Sequence, residues 1–363
     1  MKENNLVQTN EVLHFASGKT MKNRFMLAPL TNKQSHDNGT LSKEELKWLR
    51  MRAKGQFGLV MTCAVNVQAN GKAWPGELGI YSDNQLLGHR KLTENIKAYG
   101  SLAVIQLFHG GMRSPKELID EQPICPSDNE EFKARALSLN EIYQVRDDFI
   151  SAAVRAKKSG YDGVEVHGAH GYLLAQFLSS EINHRNDKYG GSLENRARLI
   201  FEIVEGIYEA CGSDFAIGVR LSPERYGMVL DEVKLVAQWL IDSNKIDFLD
   251  LSLWDVFKKP EKHSDTKKSL LEHFLELEYK KVKLTVAGKI NGGKEVHEVL
   301  NAGADFVAIG RSGIIHHDFP VRVMNNDSFV PEQLPVSISH LKNEGLGPKF
   351  IEMMKSWPDF IKK

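Results

Sequence analysis

The chain has 363 residues, enough for two or three ordinary domains or for one α/β barrel of about 250 residues with additions. Hydrophobic residues make up 42% and charged residues 26%, ordinary for a globular protein, and Lys+Arg equal Asp+Glu at 47 each, which excludes a global field for nucleic acid or an anionic membrane. No apolar run approaches the roughly 20 residues of a membrane span, the polar start MKENNLVQTNE is no signal peptide, and Cys63, Cys125 and Cys211 show no CxxC spacing for zinc, iron–sulfur or a disulfide framework, so the expected location is cytoplasmic.

In chain order, Val12–Met21 contains Ser-Gly-Lys and suggests a small hairpin closing the bottom of a barrel. A first strand, Arg24–Ala28, precedes a helix that Ser42 and Glu45 open in a capping-box pattern, with Leu46, Leu49 and Ala53 on one face and Gly55 at its end. Strands over Gly58–Ala64 and Leu102–Leu107 follow. Ser138 and Glu141 repeat the box before a stripe of Ile142, Val145 and Phe149 that Gly160 stops. Strands over Gly163–His167 and Phe215–Leu221 lead to a helix opened by Asp231, with Val233, Val236, Ala237 and Leu240 on one face. Phe248–Ser252, Lys283–Ala287 and Phe306–Ile309 complete eight nearly continuous apolar runs, as expected of parallel strands covered by helices. Strand then helix, eight times, predicts an α/β fold, a closed (β/α)8 TIM barrel over residues 1–320. A C-terminal helical extension over 321–363, with helix near Phe350–Trp357, is expected to pack on it.

In such a barrel the chemistry sits at the C-terminal strand ends. Those ends carry Thr31, then Thr62 and Cys63, then Gln106 and His109, then His167, His170 and Tyr172, then Arg220, then Gly288 and Lys289, and last Gly310 and Arg311. Polar groups clustered at the ends of apolar strands point to a ligand. No carboxylate pair is evident there, which argues against glycosidase or Mg²⁺-dependent chemistry. Val-Ala-Gly-Lys (286–289) and Ile-Gly-Arg-Ser (309–312) suit a phosphate after the seventh and eighth strands, with Arg311 adding charge; plain tight turns are the alternative. His167 and His170, three apart, can aim both rings into one mouth and hold an oxygen that gains negative charge, while Tyr172 can supply a proton. Structural histidines, or a metal site that borrows the mid-strand Glu165, remain the competing readings.

The run His167-Gly-Ala-His170-Gly-Tyr172, followed by Asn183-His-Arg-Asn-Asp-Lys-Tyr-Gly-Gly-Ser-Leu-Glu-Asn-Arg196, resembles the signature of old yellow enzyme flavoproteins. Asn23-Arg-Phe-Met-Leu-Ala-Pro-Leu-Thr31 resembles their first strand, Ile105-Gln-Leu-Phe-His-Gly-Gly their third and Gly218-Val-Arg220 their fifth, in the right order from about residue 10 to 320. The resemblance implies FMN at the barrel mouth, NADPH or NADH as reductant, a small-molecule substrate and no metal. Ala28, Pro29, Leu30 and Thr31 would border the cofactor, with Thr31 at its O4 side and Thr62 toward N5. Gln106 would meet the pyrimidine edge and Arg220 the N1/O2 side. Gly288, Lys289, Gly310 and Arg311 would surround the phosphate. His167 and His170 would bind the substrate's oxygen and Tyr172 would donate the proton. Position 31 is threonine where some bacterial relatives have cysteine, and Thr62 stands where alanine or glycine is frequent. No cysteine follows Cys211, so the iron–sulfur cluster and second flavin domain of the larger dienoyl-CoA reductase branch are missing. The expected activity is ping-pong reduction of an activated alkene; a flavin or quinone oxidoreductase or oxidase, and a flavin store or sensor, are the alternatives, and a homo-oligomer is left open.

Overall fold

The computed structural model describes residues 7–262 and 267–362, so the first six residues of the polar start lie outside it. Eight strands pair in parallel: β1 (Phe25–Leu27), β2 (Leu59–Asn66), β3 (Leu102–Phe108), β4 (Gly163–Gly168), β5 (Ala216–Leu221), β6 (Phe248–Ser252), β7 (Lys283–Ala287) and β8 (Phe306–Ile309). Each neighbours the next, and Val307 of β8 pairs with Phe25 of β1 to close the barrel. Every strand lies within two residues of its expected bounds, because continuous apolar runs buried on both faces are hard to mistake.

Outside run α1 (Lys43–Lys54), α2 (Leu86–Lys97), α3 (Leu139–Lys158), α4 (Leu173–Leu178), α5 (Leu193–Cys211), α6 (Leu230–Asp242), α7 (Leu270–Leu275) and α8 (Gly293–Ala302). Ser138 and Glu141 form the full reciprocal box at α3. At α1 only half the box exists. Ser42 accepts from the Glu45 N–H, but the Glu45 side chain turns inward to Asn32, Ser35 and Cys63. Asp231 does not cap α6; it sits in the first turn, after Leu230. None of the described helices is long and apolar enough to cross a membrane.

Inside the barrel the side chains form layers. Leu13–His14 and Thr20–Met21 pair as the expected hairpin, and Leu13, Phe15 and Met21 pack under Met26, Leu59, Val104, Phe248 and Phe306. Phe15, Phe248 and Phe306 stand 5.8–5.9 Å apart, ring to ring. Gly218 is glycine because of this plug: a Cβ there would lie 2.1 Å from the Phe248 ring. One step up each strand come Gln106, Glu165, Arg220 and Asp250, and above them the mouth.

After β8 come α9 (Arg311–Ile315), α10 (Phe319–Asn325), α11 (Ile338–Asn343) and α12 (Pro348–Lys355). Phe350 of α12 packs edge-on against Trp48 of α1, ring centroids 5.3 Å apart. The buried Arg52 guanidinium donates to the carbonyls of Gly313, Ile314 and Glu344, joining α1, α9 and the segment after α11.

Candidate active site

A cleft of about 600 Å³ opens at the C-terminal ends of the strands. Ala28, Pro29, Leu30, His170, Tyr172, Arg220, Gly288, Lys289, Gly310 and Arg311 all line it. Thr31, Thr62, Gln106 and His167 do not reach its wall. Thr31 is half-buried in the next step of the chain.

The Thr62 hydroxyl points elsewhere than toward the cleft. β2 shifts register against β3 between Met61 and Ala64, and Thr62 sits in that bulge. Its buried hydroxyl donates to the Cys63 carbonyl and accepts from the Gln106 N–H, which the broken ladder would leave unpaired. The side chain is committed to the backbone, not to the mouth. His109 is likewise spoken for. Its Nε2 meets Gln68 and its Nδ1 accepts from the Gly111 N–H, while burial pushes its pKa down to about 3.

Below the mouth lies a polar layer that sequence reasoning did not assemble. Gln106 Nε2 donates to Glu165 Oε1 at 2.7 Å, and Arg220 Nε stands 3.1 Å from Asp250 Oδ2. Both carboxyls are fully buried. A carboxylate pair does converge in this barrel, beneath the strand ends, where an apolar-run reading overlooks it. Burial, then the charge of Asp250, hold the Glu165 carboxyl well above the usual carboxylate range. Burial raises the Asp250 carboxyl too, against the pull of the Arg220 charge, so a proton on Glu165 leaves Asp250 to pair with Arg220. The bond to Glu165 takes one N–H of the Gln106 amide.

The histidines meet at the top of this layer. His170 Nδ1 lies 3.3 Å from His167 Nε2, and His170 Nε2 lies 2.8 Å from Ser252 Oγ. His170 and Gly171 both adopt left-handed backbone, φ 59° and 70°, and the His170 N–H is held by Ser222 Oγ. That turn brings His170 to the cleft; His167 stays under it against Phe108 and Tyr172, with Nδ1 partnerless among the described residues. Burial lowers both pKa values, His170 to about 3, with the Arg220 charge adding, so both rings are neutral near pH 7. Tyr172 lies 4.6 Å edge-on from Phe108, and its phenol is raised by burial and keeps its proton. Arg113, absent from the expected set, also lines the cleft; its guanidinium lies 4.7 Å from the Tyr172 ring centroid and donates to the His170 carbonyl at 2.5 Å.

At the other end the two glycines differ. Gly288 has φ 153°, and a Cβ there would come within 2.8 Å of the Asp255 backbone, so packing alone demands it. A Cβ at Gly310 would meet nothing within 4 Å and would stand in the cleft. Gly310 precedes α9, and Arg311 leans toward Trp357 at 5.9 Å. Lys289 pairs with Asp255 at 2.9 Å, which draws its ammonium aside. The open step at Gly310, the free Arg311 and the half-used Gln106 amide fit a phosphate-bearing flavin mononucleotide: phosphate at one end, a flat donor–acceptor edge further in.

Away from the cleft, His316, His340 and Glu344 converge within 4.8 Å. His316 Nε2 accepts from the Glu332 N–H, so the neutral ring has its proton on Nδ1 and offers no free lone pair to a metal.

A parallel eight-stranded barrel whose mouth joins an open glycine step, a fixed cation and a histidine–tyrosine group fits a flavin-dependent oxidoreductase. Comparison with known proteins agrees. Residues 13–328 match the model of the NADH:flavin oxidoreductase / NADH oxidase family. The chain is 36% identical over 324 residues to "Probable NADH-dependent flavin oxidoreductase YqiG" of Bacillus subtilis (strain 168), covering 86% of this chain and 87% of that one. It is 35% identical over 314 residues to the NADPH dehydrogenase of Bacillus pumilus, 84% and 90% of the two chains. The solved old yellow enzyme homologue of Zymomonas mobilis superposes with a TM-score of 0.79 at 29% identity, over 92% and 96% of the chains. The chain belongs to the NADH:flavin oxidoreductase / NADH oxidase family, as an FMN barrel of the old yellow enzyme type. It is an NAD(P)H-dependent FMN oxidoreductase.

Proposed function

We propose that this enzyme reduces activated alkenes, with enone-type acceptors as the substrate class. The observation that carries this reading is the protonated Tyr172 beside the neutral His170 at the cleft, with His167 directly beneath: a proton donor next to a pair of rings that share one N–H between them and leave the other for a ligand. FMN, when bound, supplies the hydride chemistry between NAD(P)H and the acceptor. His170 binds the acceptor's oxygen, exchanging its Ser252 contact for it, and His167, beneath the wall, reaches that oxygen only by giving up its bond to His170. Neutral N–H donors there stabilise charge as it develops. Tyr172 protonates the α-carbon. Arg220 would supply a fixed positive charge to the flavin ring, Gln106 would meet its polar edge, and Arg311 with Gly310 would hold its phosphate. Nicotinamide and acceptor use the same space in turn, so the kinetics are ping-pong. We place the enzyme in the cytoplasm, where its reductant is. We also propose that 321–363 acts as an extension of the 1–320 barrel; the Trp48–Phe350 and Arg52–Glu344 contacts support that division.

The test is anaerobic reduction with NADH or NADPH, then mixing with cyclohexenone and identifying the product. Saturated ketone with reoxidised flavin is expected. Reoxidation by oxygen or quinones only would replace this reading with that of an oxidase or quinone oxidoreductase.

A further inference from the structure

Gln176 of α4 ties two turns of the mouth together. Its Oε1 accepts from the Met112 N–H, and its Nε2 donates to the Gly171 carbonyl at 2.8 Å and the Gly110 carbonyl at 3.3 Å. The first turn, Gly111–Arg113, has φ 62° at Gly111, where a Cβ would fall 2.4 Å from the Gln176 oxygen. The second is His170–Gly171, whose left-handed backbone delivers Tyr172. A Cβ at Gly171 would fall 2.9 Å from the Tyr226 ring, so neither turn has slack. The clamp sets Arg113 against the second turn. One guanidinium nitrogen donates to the His170 carbonyl, and the guanidinium lies 4.7 Å from the Tyr172 ring centroid and 5.8 Å from that of Tyr226. Arg113 is half-buried and forms no ion pair among the described residues, so no carboxylate cancels its charge there. The other titratable groups that face Tyr172 bring no full charge. His167 and His170 are neutral, burial holds the Glu77 carboxyl well above the usual carboxylate range, and Tyr226 is a second phenol. Burial raises the Tyr172 phenol, and the Arg113 charge pulls it back. A buried proton donor needs such a partner, because the anion it becomes is costly out of water.

We infer that Arg113 is the positioning residue of the proton-transfer step: it holds the His170–Tyr172 turn by the His170 carbonyl and lends Tyr172 the positive charge against which the phenol gives up its proton. The inference rests on the alkene-reductase reading above. The alkene gains a hydride at its β-carbon and a proton at its α-carbon as NAD(P)H is oxidised to NAD(P)⁺. The Tyr172 O–H bond breaks as the new bond to the α-carbon forms. Its electron pair stays on the phenolate beside Arg113, and water returns the proton.

Holoenzyme carrying difluorotyrosine, whose phenol ionises at lower pH than that of tyrosine, is titrated by fluorine NMR, with the Tyr172 signal assigned through Tyr172→Phe. Arg113→Met should raise the Tyr172 midpoint by about one pH unit or more, and Arg113→Lys, which keeps the charge, by less. Stopped flow with cyclohexenone, a neutral acceptor, is the second arm. Arg113→Met should slow reoxidation roughly ten-fold more than it slows flavin reduction at saturating NADH. In a Tyr172→Phe background it should add little, because it acts through the missing hydroxyl. An unmoved midpoint, equal slowing of the two half-reactions, or a full further loss beside Tyr172→Phe overturns the inference. Arg113→Gln, neutral but still able to donate to the His170 carbonyl, takes the same tests if Arg113→Met does not fold, with the same outcomes decisive. Wild-type turnover of cyclohexenone tests the alkene reading by itself, whereas the midpoint reads the Arg113–Tyr172 coupling without turnover.

Discussion

Tyr172 keeps its proton because burial disfavours the phenolate, and the same burial makes it a donor with a single task. Flavin reduction moves only a hydride, so Tyr172→Phe should leave it nearly unchanged; alkene reduction should fall about 10²–10⁴-fold. Stopped-flow traces of the two half-reactions separate these outcomes, and a variant as fast as wild type with cyclohexenone would remove Tyr172 from the chemistry. Arg311 offers a second separation. Its guanidinium makes no ion pair among the described residues and leans on Trp357, so Arg311→Ala should weaken FMN by about 1.5–3 kcal/mol and riboflavin much less, read by fluorescence titration of apoprotein. Equal losses would detach Arg311 from the phosphate.

At the scale of elements, α1 matters beyond covering β2. Arg52 reaches from it to the Gly313, Ile314 and Glu344 carbonyls. Arg52→Met leaves those acceptors buried and unpaired, so stability should drop by about 3 kcal/mol or more in urea unfolding, with FMN affinity falling because α9 loosens behind Gly310. Unchanged stability would mean the carbonyls find other donors. His89, on α2, sets a pH dependence. Its ring is buried between Tyr161 and the Gly79 carbonyl, and burial lowers its pKa from 6.5 to about 4. The unfolded chain binds this proton first, so the stabilising contribution is complete above pH 6.5 and is lost as pH falls toward 4. His89→Gln should flatten that part of the acid-unfolding curve; an unaltered slope would assign the acid sensitivity elsewhere. Such contacts also mark where sequence stops being legible. Strands, the hairpin and the α3 cap read correctly because period, apolar runs and capping pairs are local. Glu45 reads as a cap until Ser35 and Cys63, brought up by other elements, claim it. Glu165 and Asp250 hide inside apolar strands, and Arg113 follows a turn whose direction Gln176 sets from α4. That His170, Tyr172 and Arg220 share one strand-end cleft was legible, while the direction of the Thr62 hydroxyl was not, since a bulge decides it.

For the whole molecule, formal charge sums to zero, yet the cleft at the barrel mouth gathers four cations and no described carboxylate. Asp250 and Asp255 offset two of them, which leaves Arg113 and Arg311 without an ion pair among the described residues, and Arg311 would meet the FMN phosphate. A dinucleotide therefore feels attraction only over a short range and from one side, within roughly a Debye length of about 10 Å at 0.1 M salt. Ionic strength should act on encounter and not on chemistry. The second-order rate constant for flavin reduction at low NADPH should fall as salt rises, more steeply than for NADH, which lacks the extra phosphate. The first-order limit at saturation should hold steady. A salt-insensitive encounter rate would mean that the cations are masked before the dinucleotide arrives. If the dependence appears, the cell's own ionic composition becomes a throttle on how quickly this enzyme is charged with electrons, leaving untouched how quickly it spends them.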